Sequence, residues 1–416
     1  VLRGPQGTLF GRNASAGLLN ITTAMPKFEF GGIAEATYGN FDNIRFQGGL
    51  TGPIFGDKVA FRIDGVYNKR DGFLRDVISG RDLANRDRFL VRGQLLIQPN
   101  ADLSIRLIGD YNQKNEECCG AAFLNPPRNL SRDGQGNVVE SPNSIQALVT
   151  RLGGVYRFPT DGSKFVRETS ITPGASYDQR TRDWGFSGEV NWDLGGVNLT
   201  SITAYRRFKN TAAQDADFNS LDILQRTDQP REFSTFTQEL RAQGTVFDDR
   251  LDWLVGAYFA DEILRANDNL KYGADYERYV NAQIGGTLPL IAQIIGYTPP
   301  PGQNLLNGTG VVNSEFRQRS RNYAVFTHNV IQLVPDTLSL TLGGRYTNER
   351  KFLDSSFNLN NNLCGALRRY TGPFPAALAA ARAGATALSC VINNTAGAGF
   401  NRDDPGATLS EDRFTG

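Results

Sequence analysis

Histidine is almost missing from this sequence, with 1 in 416 residues, alongside 4 cysteines and 1 methionine. Metal centres and most nucleophilic or acid–base machineries draw on histidine and cysteine, so little is available from which to build an enzyme. Long hydrophobic runs are missing too. The longest are short ones such as Leu288 to Ile295, far below the roughly 18 consecutive apolar residues a membrane-crossing helix needs. Nor is there an excess of charge. The 44 basic and 43 acidic residues are interleaved and leave a net charge of +1, which gives no electrostatic case for nucleic acid as a partner. The chain opens at Val1 with no initiator methionine or signal peptide, and therefore reads as a fragment.

What the sequence does have is glycine, 45 residues of it, and a period of two. On a strand, alternate side chains face opposite ways. Val59, Phe61, Ile63, Gly65 and Tyr67 make one apolar face against Arg62, Asp64 and Asn68 on the other. The pattern recurs from Ile44, Phe89, Leu103, Trp184, Leu251 and Leu338, and is least regular near Leu199, Phe236 and Tyr323. About eleven strands are expected.

The connections alternate in length. Short ones at Gly52–Asp57, Gln98–Asp102, Asp193–Gly196, Gly244–Arg250 and Leu333–Thr337 separate long ones at Lys69–Asp87, Gln113–Arg182, Asn210–Glu232, Glu262–Ser320 and Arg350 onward. Short turns at one end and long loops at the other distinguish an outer-membrane barrel from a soluble sandwich. Aromatic residues add a second distinction. Tyr38, Tyr67, Tyr111, Tyr205, Phe259 and Tyr346 sit at the long-loop end of rising strands, and Phe46, Phe89, Trp184, Phe236 and Tyr323 open the returning ones. Amphipathic rings concentrate at a membrane interface, so these predict a girdle. The fold class is all-β, a transmembrane antiparallel β-barrel.

Before the strands lies VLRGPQGTLFGRNASAGLLNITT, glycine-rich and without alternation. It lacks the lysine of a phosphate-binding loop and the spacing of a dinucleotide fingerprint. From Leu2 to Thr22 it resembles the end of the plug domain of TonB-dependent outer-membrane receptors. KRDGFLRD from Lys69, NRDRF from Asn85, TSITAYR from Thr200, TQELR from Thr237 and LTLGGRYTNE from Leu340 resemble barrel segments of that family. The resemblance implies residues 1–26 as the C-terminal end of a plug and 27–416 as the N-terminal half of a barrel of about 22 strands. It also implies an outer-membrane location and lipid contact. Partners would be the TonB–ExbB–ExbD energy-transducing complex, reached through the part of the plug that is missing, and a small-molecule or iron-chelate ligand. No cofactor is implied, and Arg3 is similar to a plug arginine that pairs with barrel carboxylates.

Individual residues carry weaker expectations. The inward polar set Glu35, Arg62, Asp64, Arg92, Arg106, Asp110, Glu189 and Arg345 could guide a ligand, although a wet lumen wants mixed charges in any case. His328 reads as structural, which disfavours haem uptake. Asp215, Asp217 and Asn219 imitate the start of a calcium loop, but Ser220 and Arg226 stand where glycine and the closing glutamate belong. Cys364 with Cys390 reads as a disulfide pinning an outer loop, with free thiols the alternative. Adjacent Cys118 and Cys119 read either as a strained bridge or as ligand-facing thiols. Gly372–Leu388, alanine-rich, predicts a short helix in the last long loop. The leading functional expectation is active import of a scarce ligand, foremost a ferric siderophore. Glycan or vitamin import, a passive porin and a surface adhesin are the alternatives.

Overall fold

The computed structural model describes residues 2–4, 7, 16–123, 128–142, 144–158, 166–306, 312–335, 337–359, 361–390 and 402–415. Twelve of its strands join in one antiparallel sheet, each hydrogen-bonded to its neighbours in chain order. They are β1 (Gly31–Gly39), β2 (Asn43–Phe55), β3 (Val59–Arg70), β4 (Arg86–Ile97), β5 (Leu103–Glu117), β6 (Asp178–Asp193), β7 (Val197–Asp215), β8 (Leu224–Val246), β9 (Leu251–Tyr272), β10 (Val312–Val334), β11 (Leu338–Leu359) and β12 (Arg402–Thr415). The count exceeds the sequence expectation by one, the twelfth strand. The irregular segments near Leu199, Phe236 and Tyr323 are the fully paired β7, β8 and β10.

The aromatic girdle can be checked against strand register. Across each long connection the aromatics stand directly opposite one another, as Tyr67 with Phe89, Tyr111 with Trp184, Tyr205 with Phe236, Phe259 with Tyr323 and Tyr346 with Phe414. Between successive pairs the register steps by two residues. Phe89 faces Gln113 rather than Tyr111, Trp184 faces Arg207 rather than Tyr205, and Phe236 faces Asp261 rather than Phe259. The step amounts to one residue per strand. With ~3.4 Å per residue and ~4.8 Å between strands it corresponds to a tilt of about 35°, at the shallow end of the range for barrels. The aromatics are therefore level although the strands are not.

The long connections are shorter than expected, because the strands continue past the membrane zone. β8 and β10 are each 23 residues long. At that tilt such a strand rises roughly 60 Å, more than twice the ~25 Å apolar band of a membrane barrel. Above the girdle both faces meet water, so polar side chains fill both and the hydropathic alternation fades while the backbone ladder persists.

The remaining connections are not simple loops. Helices α1 (Ser144–Arg151), α2 (Tyr276–Gln283), α3 (Leu288–Ile294), α4 (Asn362–Arg369) and α5 (Ala379–Ser389) stand at the long-loop end. The predicted alanine-rich helix is α5, preceded by a 3-10 turn over Ala376–Leu378. Leu148 and Val149 of α1, Leu221 and Ile223, Tyr276 and Val280 of α2, Ile291 of α3, and Leu363 and Leu367 of α4 form one buried cluster. Four separate connections thus share a hydrophobic core. A smaller core of Leu74, Leu83, Ile171, Ala175 and Tyr177 lies among the earlier loops.

Candidate functional site

The polar face of the sheet presents an ordered row of charges. Asp64 on β3, Arg92 on β4, Asp110 on β5, Gly185 on β6 and Arg206 on β7 are direct register partners in sequence. The Arg206 guanidinium reaches Asp110 and Asp183, at 2.9 and 2.8 Å, and Arg92 lies 3.8 Å from Asp110. Gly185 is where a side chain would obstruct this bridge, since a Cβ there would stand 3.0 Å from the Tyr205 carbonyl and 3.3 Å from Arg206 Nε. Alternating charges on facing strands let each carboxylate accept charge-assisted hydrogen bonds. The sequence singled out Asp64, Arg92 and Asp110 but not Arg206, Asp183 or Gly185. Their signal was the register, which is set across strands.

Arg62 lies one position down the face from Asp64, with Nη2 2.6 Å from Oδ1. Glu35 accepts from Gln47 Nε2 at 2.6 Å. Glu189 accepts from Asn191 Nδ2 at 2.8 Å. Arg345 on β11 is 5% exposed and lies far along the sheet from the Asp110 row. Its guanidinium carbon sits 5.8 Å from the ring centre of Tyr258 and 5.2 Å from that of Phe326, a cation–π arrangement, and its Nε donates to Thr347 Oγ1. His328 lies on β10 opposite Leu254 and Gly343.

Arg106 has a different neighbour. Its Nη2 donates to Thr23 Oγ1 at 3.1 Å and to Gln94 Oε1, while Gln94 Nε2 donates to the Ala24 carbonyl at 3.1 Å. A little further on, the Lys27 N–H donates to Thr51 Oγ1 at 2.8 Å. The segment that precedes the first strand is thereby tied to the inner wall by β2, β4 and β5. Nearer the chain start, Leu2–Arg3 pairs with Gly17–Leu18, and Arg3 is exposed.

At the outer end all four cysteines are bridged, Cys118 to Cys119 and Cys364 to Cys390. The second bridge ties α4 to the end of α5, where Asn361 also caps α4 by accepting from the Cys364 N–H at 3.2 Å and donates to the Ser389 carbonyl. Asp215, Asp217 and Asn219 act on the backbone. Asp217 accepts from the N–H groups of Asn219, Ile223 and Leu224, and Asp215 from those of Thr172 and Asp217. Burial, and then the neighbouring Asp215 charge, push the Asp217 carboxyl up to about 8 despite these donors.

No family model matches the sequence. Among curated proteins it is similar to the pesticin receptors of Yersinia enterocolitica and Yersinia pestis, at 43% identity over 82 residues, 20% of this chain and 12% of each relative. Among solved structures it resembles the ferric yersiniabactin uptake receptor FyuA of Yersinia pestis, with a TM-score of 0.65 and 15% identity over 99% of this chain and 47% of that one. It also resembles the ferric-catecholate import receptor Fiu of Escherichia coli K12, with a TM-score of 0.60 and 15% identity over 100% and 51%. The siderophore receptor PiuA of Acinetobacter baumannii gives a TM-score of 0.55 at 11% identity over 99% and 50%. The chain spans about half the length of these structures.

Proposed function

We propose that this chain, whose fold is that of the TonB-dependent outer-membrane receptors, supplies part of the wall and outer cap of an importer for a ferric siderophore. The observation that carries the reading is the segment ending at Lys27, hydrogen-bonded to the inner wall through Arg106, Gln94 and Thr51. Chain fastened inside the lumen fits a wide barrel that is plugged and gated rather than one left open. On this reading residues 1–26 close a plug, Arg3 belongs to its contact with the barrel, and residues 27–416 form barrel and loops.

The inner row of Asp64, Arg92, Asp110 and Arg206 then lines the passage, and the helix-bearing cap receives the ligand. The solved proteins it resembles are named as uptake and import receptors, which supports transport rather than catalysis. Energy would come from the TonB–ExbB–ExbD complex acting on the plug.

The test is uptake of radiolabelled iron by cells carrying the full-length receptor, offered a panel of ferric siderophores. Import that disappears when the energy-transducing complex is deleted is the expected result. Import that survives the deletion, or steady ungated conductance of the purified receptor in planar bilayers, would assign the chain to a passive pore.

A further inference from the structure

Residues 215–224 run between the two hydrophobic cores of the outer end and are fastened to both. Phe218 packs against the smaller core, while Leu221 and Ile223 belong to the larger one. Other connections are tied to this strap. Thr172, next to Ile171 of the smaller core, donates its N–H to Asp215 Oδ2 at 2.9 Å and its hydroxyl to the Leu221 carbonyl at 2.8 Å. The Val155 N–H donates to Ser220 Oγ at 2.7 Å, and the Ser220 N–H returns a bond of 3.0 Å to the Val155 carbonyl. Asp222 accepts from the Ala274 N–H at 2.8 Å and from Gln225, and its own N–H donates to Asp275 Oδ2 at 3.1 Å.

The turn that opens the strap is built on two carboxyls. Asp215 is fully buried and accepts from the Asp217 N–H at 3.2 Å, and the two side chains hydrogen-bond to each other. Neighbouring carboxylates held away from water do not both ionise readily, so the pair keeps one proton between them. Burial pushes both carboxyls upward. The groups that face them are mostly phenols. Tyr177 of the smaller core, Tyr156 beyond α1 and Tyr279 of α2 stand within electrostatic reach of Asp217, and burial, followed by the charge of the pair, pushes each of them upward. Arg81 and Asp76 act on Tyr177 with opposite signs, and Arg81 is already paired with Glu117 at 2.9 Å.

Two features keep the strap's hold on the smaller core shallow. Phe218 sits at a φ of 54°, in the left-handed region where a bulky side chain is strained. The Tyr177 hydroxyl is fully buried with no hydrogen-bond partner, which costs stability. One proton is then enough to decide how firmly the cores are joined. We propose that residues 215–224 are a proton-held latch: while Asp215 and Asp217 share their proton the two cores form one cap, and when it passes to solvent the join weakens and each core opens by itself. The step breaks one O–H bond, leaves its electron pair on the carboxylate and hands the proton to water. The closed strap holds one more proton than the open one, so the join is firmest in acid and weakens by up to about tenfold per pH unit between pH 5 and pH 8. The proposal rests on the fold of the cap and not on the identity of any ligand.

Hydrogen exchange of the full-length receptor in mild detergent, corrected for intrinsic rates, tests the join at pH 5 and pH 8. Leu83→Ala loosens the smaller core directly. It is expected to quicken exchange over residues 361–369, in the larger core, by about fivefold or more at pH 5 and by less than about twofold at pH 8. With Asp217→Asn, which stays neutral at every pH, Leu83→Ala should be felt over 361–369 to the same degree at both. With Asp222→Asn the difference between the two pH values should remain. Ile171→Val gives the same comparison with a smaller loss of packing should Leu83→Ala empty the smaller core altogether, and heat-modifiable migration confirms an intact barrel in each variant. No effect over 361–369 at either pH would show that the cores are not joined. An effect of equal size at both pH values, or a pH dependence that persists with Asp217→Asn, would show that the pair's proton does not hold them. Each of these results overturns the proposal.

Discussion

The hydroxyl of Tyr276 on α2 donates a 2.6 Å hydrogen bond to the Leu388 carbonyl near the end of α5, joining positions 112 residues apart. Tyr272, its ring stacked on that of Tyr276 at 3.8 Å, donates to the Ser389 carbonyl at 3.0 Å. Two phenols thus satisfy carbonyls that a helix end leaves without a partner in the helix. Burial pushes the Tyr276 hydroxyl well above its usual range, so it stays a donor at any physiological pH. Tyr276→Phe should leave the ring packing intact and remove the shorter of the two phenol hydrogen bonds to the half-buried Leu388 carbonyl, at a cost of about 1 kcal/mol to the cap. Hydrogen exchange over residues 385–390 should quicken accordingly. Unchanged exchange there would mean that the bond contributes nothing.

The Cys364–Cys390 bridge closes a loop of 26 residues. Loop entropy alone puts its contribution at about 3.5 kcal/mol. Mild reduction, or Cys364→Ser with Cys390→Ser, should expose 361–390 to protease while β1 to β12 keep their heat-modifiable migration. Equal protease resistance of the oxidised and reduced proteins would contradict this.

Arg106 and Gln94 hold the segment at Thr23 and Ala24. Arg106→Ala with Gln94→Ala should therefore make a cysteine placed at Thr23 label several-fold faster in the full-length protein. A label placed on the exposed short turn at Asp249 serves as the control, and labelling rates that do not change would show that the wall does not retain the segment.

For Asp217 the sign follows from the direction of its shift. Its carboxyl titrates near 8 when folded, against an ordinary value of 3.8, so the folded cap holds the proton more tightly than the unfolded chain. That stability is complete below about pH 4 and is lost as pH rises through 8. After correction for intrinsic rates, the Leu224 amide should open more readily at pH 8 than at pH 5. Asp217→Asn should flatten the profile, whatever it does to absolute stability, and a profile equally steep in the variant would point to another group.

Much of the membrane zone is legible in the sequence, because lipid on one side and water on the other force alternation. Val59 to Tyr67 and Leu338 to Tyr346 display it plainly. Legibility fails where that contrast ends. Arg317, Gln318, Arg319 and Ser320 are polar on both faces, and only the ladder with Asp354, Leu353, Phe352 and Lys351 shows them to be strand. The cap was hidden for another reason. Leu148, Leu221, Val280 and Leu363 look like stray apolar residues in polar loops until four distant connections meet. In the inner row, Asp64, Arg92 and Asp110 were visible as inward charges. Arg206 was not, since its partners are chosen by register and by the space left at Gly185.

The shared core of the cap bears on how such a surface could change. Residues from four connections fill one volume, so an insertion or substitution in one of them that alters its packing is felt by the other three. Drift of a single loop is then opposed by its neighbours, and the favoured unit of inheritance is the whole assembly. Related chains should differ there in concert, while the level ring of aromatics beneath them keeps its spacing.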